Sequence, residues 1–156
     1  MSSLSLILHN VRSVHNVGSL FRTADAAGVE KIYLVGFTPS PLDRFGRSRK
    51  DLAKTALGAE KSVLWEAVPT LAPLIKKLKK EGVEIVGLEC GGVAIPYTTF
   101  TPKFPTALVL GNEVTGLSKK ELGLCDAVIE IPMKGKKESL NVGVAGGVAL
   151  FSLLAP

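Results

Sequence analysis

The chain has 156 residues, 46% of them hydrophobic, with two cysteines and a formal net charge of +5. That length supports one substantial core and a single domain, and a pI near 9.3 favours a polyanionic partner. Cys90 and Cys125 lie far apart, without CxxC spacing or a histidine close in sequence. That pattern excludes the usual zinc site, so no metal is expected and both read as reduced core thiols.

The first residues have no cationic stretch ahead of the apolar run and no small-residue cleavage site. They do not read as a signal peptide, and the cytoplasm is the expected location. Residues 4–8 read as a buried strand, and 17–27 as a helix with apolar Leu20, Ala24 and Ala27 and a stop at Gly28. With a second strand over 31–35, this rhythm predicts parallel α/β units joined by crossover helices. Residues 38–59 read as a long loop, functional or mobile, whose Arg44, Arg47, Arg49, Lys50 and Lys54 suit either a grip on phosphates or plain solvated charge. A short strand over 63–65 follows, then a helix over 71–80 with a lysine-rich solvent face and an apolar strand over 83–88. The remaining elements are a strand at 106–110, a short helix at 118–122, a strand at 127–131 and a closing helix at 140–154. The apolar tail over 142–156 is too short and too rich in small residues for a membrane span and reads as part of a buried helix.

Three motifs punctuate these elements. In the first, Asn16 stands at a helix start and Arg22 emerges two turns later, a pattern that an N-cap and a solvent-facing arginine also satisfy. The second runs from the apolar strand at 108–110 through Gly111, Asn112, Glu113 and Gly116 to Ser118, where ligands of open α/β sheets collect. Its glycine spacing imitates a phosphate-binding loop, but Leu117 stands where that loop needs lysine, which excludes nucleoside triphosphate hydrolysis. The third is Ile131, Pro132 and Met133, a basic loop over 134–138, then Ser139, Leu140 and Asn141 at a helix start.

The order N-x-G-x-x-x-R, L-G-N-E-x-x-G-L-S and I-P-M-x-G-x-x-x-S-L-N-V, with KTALGAE at 54–60, resembles the SPOUT methyltransferases of the SpoU or TrmH-like branch. The resemblance spans nearly the whole chain and implies an α/β fold, a mostly parallel sheet flanked by helices, with a C-terminal trefoil knot. Knots are rare in proteins, and the small residues Gly143, Ala145, Gly146 and Gly147 suit either threading or close helix packing. Family members often add an N-terminal RNA-binding domain or basic extensions, which this sequence does not show, so one SPOUT domain over residues 1–156 is expected.

The resemblance further implies S-adenosyl-L-methionine as cofactor, tRNA or rRNA as substrate, methylation of a ribose 2'-hydroxyl, and a homodimer through the first and last helices. The apolar residues Val144, Val148, Phe151 and Leu154 are the expected interface. Cofactor contacts fall on Leu88, Glu89, Leu110, Gly111, Asn112, Gly116, Ile131, Met133, Ser139 and Leu140. A side chain at Gly111 is expected to stand between the main chain and the adenosine, which apolar Leu88, Ile131, Met133 and Leu140 would sandwich. Asn16, Arg22, Glu113, Ser139 and Asn141 take the catalytic positions, and Arg12, His15, Arg44, Arg47, Arg49, Lys50 and Lys54 are expected to meet RNA.

The three motif loops are expected to converge into one pocket, where Arg22 meets them and clamps the reacting ribose and phosphate, because a guanidinium does not give up its own proton in a protein. Glu113 is expected to order Arg22 or the neighbouring loop rather than act as base, and His9 and His15 to be structural or RNA-contacting. Two other readings are a non-catalytic RNA-binding module with this fold and a methyltransferase that acts on a base. Cofactor titration separates the first from an enzyme, and a nucleoside digest separates the second.

Overall fold

Short apolar runs alternating with helices give seven strands and six helices in the described residues, 2–156, of the computed structural model. The chain runs β1 (Leu4–His9), α1 (Val14–Ala27), β2 (Lys31–Val35), α2 (Lys50–Ala56), α3 (Ala59–Ser62), β3 (Leu64–Val68) and α4 (Leu71–Lys80). It continues through β4 (Glu84–Leu88), β5 (Ile95–Pro96), β6 (Thr106–Leu110), α5 (Lys119–Leu122), β7 (Ala127–Glu130) and α6 (Val142–Leu154). The strands form one sheet in the order β3-β2-β1-β6-β4-β7-β5, with every pairing parallel.

A parallel sheet must be covered on both faces, and the period-two alternation of side chains shows how this one is. Leu4, Leu6 and Leu8 of β1 join Leu108 and Leu110 of β6 beneath α1, α2 and α6. Ile7, Ala107 and Val109 point the other way, into a cluster with Leu71, Leu74, Ile75 and Leu78 of α4. Because all strands run one way, His9, Val35, Leu88, Leu110 and Glu130 end along a single edge, where ligand sites of such sheets lie.

The structure departs from the sequence-based elements at informative points. The first helix begins at Val14 because the Ser13 hydroxyl accepts the Asn16 N–H at 3.1 Å, so Ser13 is the cap and the Asn16 side chain is free for other partners. The helix ends as expected at Gly28, whose φ of 78° lies in the left-handed region. The expected loop over 38–59 contains α2, which buries Leu52 and Ala56 one turn apart against the core. Gly18 permits this approach: a Cβ there would strike the Thr55 hydroxyl and come within 2.6 Å of the Leu52 carbonyl. The edge strand β5 had no sequence signature, since two residues paired with Ile129 and Glu130 establish no periodicity. Cys90 is exposed rather than in the core, while Cys125 is half-buried and burial pushes its thiol up to about 11.

Gly146 is needed for packing: a Cβ there would lie 2.7 Å from Leu20 and 2.8 Å from Leu110, so α6 sits directly on α1 and β6. No helix among the described residues is long and apolar enough to cross a membrane, and none of their His, Cys, Asp and Glu side chains cluster in threes to hold a metal.

Candidate active site

At the common strand edge, the segments after β4, β6 and β7 enclose a cavity of about 340 Å³, within the range of small-molecule sites. Leu88, Glu89, Leu110, Gly111, Asn112, Gly116, Ile131, Met133, Ser139 and Leu140 all line it, together with Asn16, Glu113 and Asn141. Cys90, Val114 and Thr115, within the loops expected to hold the cofactor, complete the same wall, and sequence reasoning passed over only Val142 and Ala145, in the first turn of α6.

The loop after β6 is folded back on itself. Asn112 and Gly116 form an antiparallel bridge, and the Asn112 carboxamide oxygen accepts the N–H groups of Val114 and Thr115 at 2.9 and 3.1 Å. Its amide donates to the Asn10 carbonyl at 2.8 Å, tying the loop to the end of β1. A Cβ on Gly111 would stand 2.6 Å from the Gly116 carbonyl carbon. Glycine at 111 therefore has a structural reason of its own: the missing side chain lets the loop close, before any ligand is considered. Glu89 braces the same loop, accepting the Leu117 N–H at 2.8 Å and its neighbour Cys90 N–H at 3.2 Å.

One hydrogen-bonded run joins the three sequence motifs. Glu113 accepts the backbone N–H groups of Arg12 and Ser13, both at 2.8 Å, and the Asn16 amide at 3.1 Å. The Asn16 oxygen accepts from the Asn141 amide at 3.2 Å, and the Asn141 oxygen caps α6 by accepting the Gly143 and Val144 N–H groups at 2.8 and 3.2 Å. The ends fix every orientation between them: the carboxylate can only accept, and the helix N–H groups can only donate.

Burial pushes the Glu113 carboxyl up, yet the Arg12 and Ser13 N–H groups and the Asn16 amide outweigh it and hold the pKa below the ordinary glutamate value. A carboxylate so engaged is a poor base. It orders the start of α1 and makes no hydrogen bond to Arg22, which narrows the expected alternatives to the neighbouring loop.

Arg22 itself does not line the cavity. Six residues beyond Asn16 on one helix, it points about 240° around the axis. It lies exposed in a shallow groove with His15, Ser19, Thr23, Lys54, Thr55, Leu57 and Phe151. The expectation that Arg22 meets the three loops within one chain is therefore corrected.

The expected RNA-contacting cations are dispersed. Arg47 pairs with Asp43 at 3.1 Å and Arg49 with Asp51 at 2.8 Å, whereas Arg44, Lys50 and Lys54 form no ion pair among the described residues. Arg12 is exposed beside the cavity, with its backbone N–H held by Glu113. His9 places Nδ1 3.2 Å from Glu121, and His15 is exposed in the Arg22 groove. Ser139 is exposed at the cavity wall, and its hydroxyl has no hydrogen-bond partner among the described residues.

The pattern of the SpoU rRNA Methylase family matches residues 3–151. Over 148 residues the chain is 39% identical to a 23S rRNA (guanosine-2'-O-)-methyltransferase of Salmonella typhi, covering 94% of this chain and 57% of that protein. It thus spans somewhat over half the length of the curated relatives it matches. An AdoMet-bound rRNA methyltransferase structure from Sinorhizobium meliloti superposes with a TM-score of 0.87 at 30% identity, over 97% of this chain and 55% of that one. A structure described by the 2-OH methylation of C/U34 on tRNA gives a TM-score of 0.84 at 25% identity, over 98% and 95% of the two chains. With its fold, its three joined motifs and a pattern match over nearly its whole length, the chain belongs to the SpoU rRNA methylase family.

Proposed function

We propose that the chain transfers a methyl group from S-adenosylmethionine to a ribose 2'-hydroxyl of tRNA or rRNA. The observation that carries this reading is the single cavity walled by all three family motifs and closed by the run from Glu113 through Asn16 to Asn141. The cavity suits the cofactor in size and lining: Leu88, Ile131, Met133 and Leu140 offer apolar surface for an adenine, and Ser139 an unengaged hydroxyl. When bound, S-adenosylmethionine supplies an activated methyl group and a neutral thioether leaving group. What remains for the protein is to align a weakly nucleophilic hydroxyl, and positioning dominates such a step.

Arg22 clamps the reacting ribose and its phosphate as a planar, permanently charged fork, and the hydroxyl proton passes to phosphate or water. Since Arg22 lies outside the cavity of its own chain, we assign it to the cavity of a second copy, in a homodimer through α1 and α6. Val144 and Phe151 on α6 support this: they are 55% and 52% exposed, and Phe151 lines the Arg22 groove. The trefoil knot follows from the same reading. What supports it is the path of the chain, which leaves β7 beyond β4 and returns to pack α6 on α1 and β6. Residues 1–156 then act as one SPOUT domain, which we place in the cytoplasm with its RNA.

Incubation with labelled S-adenosylmethionine and separate tRNA and rRNA pools, followed by mapping of alkali-resistant linkages, tests the proposal. Label is expected at a ribose in one pool. The curated relatives support rRNA, and the similarity across almost all of the tRNA-modifying chain supports tRNA. Label on a base, or none in either pool, overturns the reading.

A further inference from the structure

The loop between β2 and α2 carries a feature that the methyl-transfer reading does not use. Residues 43–47 form a tight turn inside a bridge between Leu42 and Ser48. Asp43 organises it: one carboxylate oxygen accepts the Phe45 and Arg47 N–H groups at 2.8 and 2.9 Å, and the other accepts Arg47 Nε at 3.1 Å. Gly46, at φ 77°, completes the reversal. The turn projects Phe45, a residue 66% exposed, and two guanidinium groups stand over its ring, Arg44 at 4.8 Å and Arg47 at 5.0 Å from the centroid.

A lone exposed phenylalanine needs no explanation. This one is different in three respects. Its backbone is held by Asp43, so the ring is presented rather than left on a slack loop. Arg44 has no anionic partner among the described residues, and Arg47 uses only Nε on Asp43, so both guanidiniums keep donors for phosphate. The loop also springs from the cavity edge: Thr38 is buried and accepts the Val11 N–H at 3.1 Å, and its single O–H has the Leu8 and Val35 carbonyls of β1 and β2 in reach, at 2.9 and 2.8 Å. β2 lies two strands from β6, roughly 10 Å along the edge.

An aromatic face beside cations is the chemistry that receives an unpaired base while gripping its backbone. We propose that Phe45, flanked by Arg44 and Arg47, is a stacking platform for an unpaired nucleobase of the RNA near the methylated nucleotide. The inference rests on the RNA methyltransferase reading above and adds a binding residue to it.

The test compares the parent chain with Phe45→Leu and Phe45→Trp for binding to a short oligouridylate and to an abasic ribose-phosphate chain of equal length. Phe45→Leu is expected to weaken oligouridylate binding roughly 5- to 100-fold, the range for losing one stacked base, while binding to the abasic chain stays as in the parent. Phe45→Trp should restore the affinity, and its indole fluorescence should be quenched by the oligouridylate but not by the abasic chain. With the RNA pool that accepts methyl groups, Phe45→Leu should raise KM for RNA and leave cofactor affinity unchanged.

Oligouridylate affinity unchanged in Phe45→Leu, or lost equally for the abasic chain, would overturn the platform and leave the turn a purely electrostatic contact. No oligouridylate binding by the parent would overturn it as well. Methyl transfer by the parent is the separate control. If the parent labels RNA and Phe45→Leu behaves like it, the platform alone fails; if the parent labels none, the underlying reading fails with it.

Discussion

The cavity at the strand ends and the groove around Arg22 are built to different degrees of completion. In the cavity at the strand ends, Asn16, Glu89, Asn112, Glu113 and Asn141 are bonded to one another or to backbone, so its shape is a product of folding. The groove around Arg22 has exposed His15, Arg22 and Lys54 beside an exposed Leu57 and Phe151. In the proposed reaction the first holds the methyl donor, which is the same at every turnover, and the second waits for RNA and a second subunit. Preorganisation is worth most where the ligand is constant, because its cost is met once, during folding.

Breaking the open half should cost turnover and spare donor binding. Arg22→Lys keeps the charge but loses the fork, and kcat is expected to fall on the order of 100- to 1,000-fold with cofactor affinity essentially unchanged; equal loss of both would contradict the clamp. Breaking the closed half should reverse this pattern. Gly111→Ala forces a methyl group against the Gly116 carbonyl, and overpacking of this kind should weaken cofactor binding roughly 5- to 100-fold. The two variants together ask whether the halves belong to different subunits. Mixed, they should recover activity, since one cavity per heterodimer would have both an intact loop and the other chain's Arg22. If Arg22 serves its own cavity, mixing restores nothing.

Between these lies the run of amides that ties the motifs together. Asn16→Ala leaves the Glu113 carboxylate one donor short and the Asn141 amide without its acceptor, in a position only 8% exposed. Unfolding measured in urea should show a loss of about 1–3 kcal/mol, and cofactor binding should weaken with it. A loss confined to turnover, with stability intact, would make Asn16 a reacting group instead.

What the sequence disclosed, and what it did not, follows the same division. Strands β2 and β6 lie where their continuous apolar runs put them, because both of their faces are buried, and helix α4 lies where its periodicity put it, because Leu71, Leu74, Ile75 and Leu78 make one apolar face. The cavity wall was legible through the family resemblance, which assigns the loops after β4, β6 and β7; from the residues alone, only the loop after β6 was placed, by the tendency of ligands to collect at the ends of parallel strands. Arg22 was misplaced because a helix turns side chains six residues apart away from each other, a fact of three-dimensional direction that motif order does not encode. Helix α2 was hidden by the prolines and glycine just before it, although Leu52 and Ala56 carried the one-turn spacing. The Glu113 partners were out of reach for another reason, since two of the three donors are backbone N–H groups about a hundred positions away.

Those backbone donors set the smallest effect, which separates Glu113 as anchor from Glu113 as base. Its folded pKa lies below the ordinary value of 4.5, so its contribution to stability is complete at neutral pH and is lost as pH falls through the folded value. The parent and Glu113→Gln share every other carboxylate, including Asp43, Asp51 and Glu66, whose pKa values are also lowered by their partners. The difference between the two proteins in urea midpoint therefore isolates this one group. It should be constant from neutral pH down to about pH 5.5 and then shrink with further acid, as the glutamate takes up the proton that makes it resemble glutamine. A difference that grows in acid would place the Glu113 pKa above the unfolded value, where a base would sit and an anchor held by two backbone N–H groups would not.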